Sequence, residues 1–133
     1  MFNGLIRELA EVISYSQNVL RLKAKFRPNL GDSIAVNGAC LSVIKLYDDG
    51  FSVELSAESR ANVAVENLSG LVHIEPAMKL GERVDGHLMQ GHIDFIGVIS
   101  AIKKHEKRQS HLMSQSHFIL HSSKSVSYTH LRA

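Results

Sequence analysis

The stretch Gly31–Val43, G-D-S-I-A-V-N-G-A-C-L-S-V, decides the fold because two strand patterns meet there at a turn. Before the turn, Ile34 and Val36 alternate with smaller residues, as in a strand that buries one face. Asn37-Gly38 is a strong two-residue turn signal because both residue types accept positive φ at little cost. We therefore predict a tight β-hairpin.

The second strand of this hairpin has two distinct faces. Leu41 and Val43 share one face of the strand, whereas Cys40, Ser42 and Ile44 share the other. A small thiol, two hydroxyls and a glycine-containing turn leave room for a flat ligand against the backbone. The hairpin beside the turn is therefore the candidate ligand site.

Alternating apolar residues and turn signals continue on both sides of the hairpin. Val19–Phe26 and Phe51–Leu55 alternate most clearly, and Ala57–Asn67 has helical spacing. The remaining predicted strands are Met1–Tyr15, for which a short helix is the alternative, Val72–Met78, ended or weakened by Pro76, and His92–Ile102. Six or seven short strands separated by turn signals, with one short helix, predict an all-β fold, a small closed β-barrel.

Composition narrows the classes of function. The chain has 133 residues, enough for one domain with a sizeable core, and no apolar run long enough to cross a membrane. The formal net charge of +2 arises after residue 104, so we expect no nucleic-acid surface on the rest of the chain. Cys40 is the single cysteine and cannot form an internal disulfide, which favours a reducing, cytoplasmic compartment.

Four blocks of the sequence resemble riboflavin synthase of the α-type, lumazine-binding family. They occur in that family's order and at about its spacing: Met1–Ile6, Gly31–Val43, Glu54–Ser59 and Gly86–Asp94. The resemblance covers residues 1–104, and it implies a chain built from two similar barrels. It therefore predicts an N-terminal lumazine-binding barrel at residues 1–91, a closed six-stranded Greek-key β-barrel with one short helix, and the first strand of an incomplete second barrel at 92–104.

Residues 105–133 do not match the family. Most of the eight histidines lie there among many serines, with no Gly or Pro. We expect this segment to be a non-native or disordered tail and exclude it from the fold prediction.

The resemblance also implies which residues serve the site. Those with implied catalytic roles are Ser33, Cys40 and His92. Those with implied substrate contacts are Phe2, Gly4, Leu5, Ile6, Cys40, Leu41, Ser42, Glu54, Leu55, Ser56, Ala57, Glu58, Ser59, Gly91, His92 and Ile93. Ser42 and Ser59 stand where the family usually has Thr, and Ser56-Ala57 stands where it often has Met-Pro, so these positions affect the expected affinity more than the fold.

The residues alone leave plainer alternatives open. Cys40 also fits a small buried residue beside a turn, since spacing places no base next to it. His87 and His92 have no third ligand nearby in sequence, so we predict no metal site. The glycines do not follow the spacing of a phosphate-binding loop.

The activity that the resemblance implies is riboflavin synthesis without a cofactor. Two molecules of 6,7-dimethyl-8-ribityllumazine exchange a four-carbon unit, giving riboflavin and 5-amino-6-ribitylamino-uracil. In the family each site lies between barrels of neighbouring subunits of a homotrimer. We therefore expect this chain to supply half of a site, to be poorly active or inactive alone, and to form a trimer or, as an isolated barrel, a dimer.

Two alternatives lack this activity. One is a non-catalytic lumazine- or flavin-binding protein of the same fold. The other is a β-barrel that binds no small ligand.

Overall fold

The computed structural model describes residues 1–93 and, beyond them, the backbone of 99–105 and 108–113. Six strands close into a barrel in the order β1-β2-β5-β4-β3-β6, and every pair is antiparallel. The elements are β1 Glu8–Ser16, β2 Val19–Lys23, β3 Ser33–Val36, β4 Ala39–Tyr47, β5 Gly50–Glu54, helix α1 Ala57–Asn62, a 3-10 turn Val65–Asn67, and β6 Leu71–Pro76. The predicted closed Greek-key barrel with one short helix is confirmed.

The barrel interior is filled by the inward side chains of alternating residues on all six strands. In β2 and β5, the buried hydrophobic residues are Leu20, Leu22, Phe51 and Val53, each 0% exposed. The other strands add Ala10, Ile34, Val36, Leu41, Val43, Val72 and Ile74. Full burial of one such aliphatic or aromatic side chain stabilises the fold by about 1.5–3 kcal/mol, so this interior is the main source of stability.

The central hairpin forms as predicted. Asn37 and Gly38 have φ of 47° and 89°, and Val36 pairs directly with Ala39, which is the geometry of a type I′ turn. The Asn37 N–H donates to the His73 carbonyl at 2.8 Å, and the His73 N–H donates to Asn37 Oδ1 at 2.8 Å. The turn is therefore attached to β6 as well as joining β3 to β4.

Several element boundaries differ from the prediction. The first strand begins at Glu8, and before it Phe2 bonds to Met89 outside the barrel strands. Strand β2 ends at Lys23 instead of Phe26, and β6 spans Leu71–Pro76 instead of Val72–Met78. The predicted helix 57–67 ends at Asn62, since Val63 is extended, with φ −99° and ψ 134°. Val63 and Val65 pack against the barrel core, and this burial outweighs the weak helical preference of β-branched residues.

The C-terminal prediction is tested only in part. His92 and Ile93 are not in a strand, and residues 94–98 lie outside the described residues. Strand β7, Ile99–His105, pairs with β8, Arg108–Met113, in a separate two-stranded sheet. Strand β8 lies within the segment predicted to be a tail, and the rest of that segment lies outside the described residues. The divisions at residues 91/92 and 104/105 remain predictions.

Among the described helices, none is both long and apolar enough to cross a membrane.

Glu8 at the start of β1 is expected to stabilise the barrel measurably. Its Oε1 accepts from the Lys25 N–H at 2.5 Å and its Oε2 from the Phe26 N–H at 2.9 Å, so Glu8→Ala leaves two backbone donors unpaired. We predict a loss of about 1–2 kcal/mol in the free energy of unfolding, measured by urea denaturation.

The control for this prediction is Glu11→Ala on the same strand. Glu11 only approaches Lys23 at 3.9 Å, and both side chains are 57% exposed, so its loss should cost less than about 0.5 kcal/mol. Equal losses for the two variants would contradict the assigned role of Glu8.

Candidate functional site

The outward side chains of β3, β4 and β6 form a surface that we call the Cys40 face, made of Ser33, Ala35, Cys40, Ser42 and Glu75. The register pairs Ala35 with both Cys40 and Glu75, and Ser33 with Ser42. Side chains directly opposite each other on neighbouring antiparallel strands have Cβ atoms about 5 Å apart. The structure therefore brings the predicted Ser33, Cys40 and Ser42 onto one surface.

Two segments outside the sheet cover part of this face: the arm, residues 1–3, and the strap, residues 78–91. The Phe2 N–H donates to the Met89 carbonyl at 2.8 Å, and the Met89 N–H donates to the Phe2 carbonyl at 2.9 Å. Phe2, Met89 and Ala35 are buried together, with Cys40 and Ala77 packed against them. This small apolar cluster places Phe2 beside Cys40, where the resemblance implied that it contributes to the site.

Cys40 itself is half-buried and held by the end of the strap. Its N–H donates to the Gly91 carbonyl at 2.8 Å. Gly91 has φ of 79°, and a Cβ there would lie 2.9 Å from Cys40 Cβ and 3.1 Å from Phe2 Cε2. His92 follows directly and is exposed, and Ile93 is half-buried. The backbone contact at Gly91 thus brings this segment next to the thiol.

On the other side of Cys40 the surface is open. Ser42 is exposed and pairs in register with the exposed Glu54 of β5. The chain continues into α1, whose first residues Ala57 and Glu58 are also exposed. Here hydroxyl, thiol and carboxylate groups share an open surface, an arrangement suited to hydrogen bonding around the rim of a flat heterocycle.

Ser56 and Ser59 have a structural role at this edge. Ser56 Oγ accepts from the Ser59 N–H at 3.0 Å, and the two hydroxyl oxygens are 3.0 Å apart. This is the usual N-cap arrangement of a helix start. The two hydroxyls are therefore already paired with each other, which limits what they can offer a ligand.

Several predicted site residues lie elsewhere. Leu41 and Leu55 are only 3% and 2% exposed and belong to the barrel core, so their side chains face away from the Cys40 face. Leu5 and Ile6 are exposed. The next residue, Arg7, donates its N–H to the Ile74 carbonyl of β6 at 3.0 Å. They therefore flank the β6 side, about two strand spacings, or ~10 Å, from the Cys40 strand.

Two buried polar residues, Asn3 in the arm and Glu75 beneath it, were not predicted from the sequence. Asn3 is 5% exposed and Glu75 is 8% exposed, and the Asn3 N–H donates to Glu75 Oε1 at 2.6 Å. No signal in the sequence reports that one chain segment covers another. The alternation of β6 could have placed Glu75 outward but not under the arm.

The described residues include no cluster of three or more His, Cys, Asp or Glu side chains that could hold a metal ion.

A separate polar cluster lies at the far end of β4. The Arg21 guanidinium stacks 3.8 Å from the Tyr47 ring centre and pairs with Asp49 at 2.7 Å. The hydrogen bond with Ser52 lowers the pKa of the Tyr47 hydroxyl, and the positive charges of Lys45 and Arg21 add to that effect. This cluster is seven residues along the strand from Cys40 and shares no hydrogen bond with the Cys40 face.

The close approach of Gly91 to Cys40 yields a prediction. Gly91→Ala places a methyl group against Cys40 and Phe2, so we expect it to separate the strap from β4 and to accelerate hydrogen exchange of the Cys40 amide. The matched control is Gly81→Ala, where φ is 89° but nothing lies within 4 Å. Both variants carry the positive-φ penalty of about 1–2 kcal/mol, so only Gly91→Ala should affect Cys40. Equal Cys40 exchange in the two variants would contradict the close contact.

Comparison with known proteins agrees with this architecture. The family model of the lumazine binding domain matches residues 3–77, which include all six barrel strands. A riboflavin synthase of Mycobacterium tuberculosis (strain ATCC 25618 / H37Rv) is 37% identical over 111 residues, covering 76% of this chain and 55% of the relative. The riboflavin synthase of Photobacterium leiognathi is 40% identical over 78 residues, covering 57% of this chain and 36% of the relative.

A third relative, the riboflavin synthase of Bacillus amyloliquefaciens, is 33% identical over 113 residues, covering 78% of this chain and 53% of the relative. The chain thus spans about half the length of the curated relatives it matches. The family model alone covers more than half of the 133 residues. The barrel is closed and six-stranded, and the family model matches all six of its strands. The chain therefore belongs to the lumazine-binding domain family.

Proposed function

We propose that this chain is a lumazine-binding barrel of a riboflavin synthase, and that it binds one molecule of 6,7-dimethyl-8-ribityllumazine on the Cys40 face. The observation that carries the proposal is the common outward orientation of Ser33, Cys40 and Ser42 beside the Phe2–Met89 cluster. Membership of the lumazine-binding domain family and the riboflavin synthase relatives support the choice of ligand.

In the proposed complex the pteridine ring lies against the open part of the Cys40 face. The ring lies beside the half-buried Cys40, next to the buried Phe2–Met89 cluster, while Ser42 and the backbone beside Cys40 hydrogen-bond to its polar rim. The exposed His92, next to Gly91, stands where it can take part in proton removal from the ligand. Leu41 and Leu55 contribute only through their backbone, since their side chains fill the core.

The reaction proposed for the assembled enzyme is a dismutation. One lumazine gives a four-carbon unit to a second. The acceptor becomes riboflavin, and the donor becomes 5-amino-6-ribitylamino-uracil. The substrate's own ring system stabilises the carbanion, so the protein's main contribution is to hold two rings face to face. Such positioning can lower a barrier by about 7–11 kcal/mol.

The second ring needs a surface opposite the Cys40 face, which we assign to a second barrel. In the proposed assembly that barrel belongs to a neighbouring subunit of a homotrimer in the cytoplasm. The 133-residue chain by itself should therefore bind ligand but turn it over poorly or not at all.

The test is a fluorescence titration of the chain with riboflavin and with 6,7-dimethyl-8-ribityllumazine. Quenching that saturates at one ligand per chain is expected. Ser42→Ala should weaken binding by about 2- to 10-fold, the equivalent of one lost hydrogen bond. The matched control is Ser14→Ala, because Ser14 is an exposed strand serine on β1, away from the Cys40 face, and its loss should leave affinity unchanged.

Three results would count against the proposal. If neither ligand quenches, the Cys40 face is not a lumazine site and the barrel binds no small ligand of this class. If Ser42→Ala and Ser14→Ala behave alike, the ligand binds elsewhere. Full turnover of 6,7-dimethyl-8-ribityllumazine by the 133-residue chain would overturn the assignment of half a site.

A further inference from the structure

Glu75 is a buried carboxylate for which neither the fold nor the proposed reaction gives a role. It lies on β6, on the outward side of the barrel, in the same cross-strand row as Ala35 and Cys40. An ionised carboxylate is costly to bury unless strong hydrogen bonds compensate. Glu75 Oε1 accepts a hydrogen bond from the backbone N–H of Asn3 in the arm, at 2.6 Å. The Glu75 carboxylate is therefore hydrogen-bonded to the backbone of the arm.

The arm is otherwise attached to the strap. Met1 and Phe2 accept through their carbonyls from the N–H groups of Met78 and Met89, both at 2.9 Å, and the Asn3 carbonyl accepts from the His87 N–H at 3.1 Å. Among the described contacts, the bond to Glu75 is the hydrogen bond that ties the arm's backbone to a barrel strand. Together with the packing of Phe2, this bond holds the arm next to Cys40.

The side chain of Asn3 does not help to hold the arm down. Its Oδ1 is buried and has no hydrogen-bond partner among the described residues. An unpaired buried carbonyl oxygen opposes burial of the arm, because undocking would return it to water. The charge-assisted bond from the Asn3 backbone to Glu75 offsets this penalty.

We propose that Glu75 is a positioning residue that holds the arm against the Cys40 face and thereby fixes the buried apolar cluster against which Cys40 packs. The inference rests on the proposed function for its ligand-binding consequence. Glu75 does not touch the ligand: it fixes Asn3, which fixes Phe2, which packs with Met89 and Cys40. Loss of the carboxylate should release the arm while the barrel remains closed.

The direct readout is hydrogen exchange of the amides that donate to the arm, those of Met78, His87 and Met89. In Glu75→Ala these should exchange about 10- to 100-fold faster, the shift in the opening equilibrium expected from losing a charge-assisted hydrogen bond. The amides of Val43 and Leu55 bond within the barrel, to Asp32 and Asn18, and should be unchanged.

Three further variants separate the bond from other effects. Glu75→Gln keeps an oxygen acceptor in place and should restore most of the protection. Asn3→Ala keeps the backbone N–H and removes the unpaired oxygen, so the arm should stay docked. Asn3→Pro removes the same donor from the arm side without altering any barrel strand, and it should reproduce Glu75→Ala.

The ligand-binding consequence is tested by riboflavin titration of the same variants. Glu75→Ala and Asn3→Pro should weaken binding several-fold, and Glu75→Gln and Asn3→Ala much less. Unchanged exchange of the three strap amides in Glu75→Ala would overturn the proposal. Equally accelerated hydrogen exchange of the Val43 and Leu55 amides would also overturn it, because Glu75 would then stabilise the whole barrel. Release of the arm with riboflavin affinity unchanged would overturn it as well. If the wild-type chain binds no riboflavin while the arm is still released in the variants, the proposed function fails and the attachment of the arm to Glu75 is supported.

Discussion

The two-residue turn at Asn37-Gly38 is the constraint on which the rest of the structure depends. A type I′ turn has only two residues between its strands, so it fixes the register of β3 against β4. Because side chains alternate between the two faces of a strand, a shift of one residue would exchange the buried and outward sets. The turn thus determines that Leu41 and Val43 fill the barrel and that Cys40 and Ser42 face outward.

Closure of the barrel then determines what lies beside Cys40. Strand β3 has β4 on one side and β6 on the other, which places Glu75 in the same row as Cys40. The arm and the strap pack over this row through Phe2 and Met89 and form a small second core outside the sheet. The site is therefore built in two layers, a sheet that orients polar groups and a cover whose buried apolar side chains pack against Cys40.

The parts of this architecture that alternation and turn chemistry dictate could be predicted from the sequence. Val19–Phe26, Phe51–Leu55 and the central hairpin have the buried faces that their patterns indicate. The helix boundary was missed at Val63, where packing against the core outweighs local spacing. The contact between Asn3 and Glu75 was missed because its partners are 72 residues apart and neither has a local signature.

The candidate site shows the same division between local and long-range information. Ser33, Cys40 and Ser42 share a face because of local register, which the sequence specifies. Leu41 and Leu55 were included through the resemblance of whole segments, and the strand period then places their side chains in the core. The proximity of Gly91 to Cys40 depends on the course of the strap, which only the folded chain reveals.

The most direct test of the central claim is to map the ligand on the chain by NMR. Amide chemical shifts of the ¹⁵N-labelled 133-residue chain would be followed while 6,7-dimethyl-8-ribityllumazine is added. The account predicts that the largest changes fall on Cys40, Ser42, Glu54 and Gly91, with Tyr47 and Ser14 unaffected. Changes centred on the Arg21–Tyr47 cluster, or spread evenly over the barrel, would contradict it.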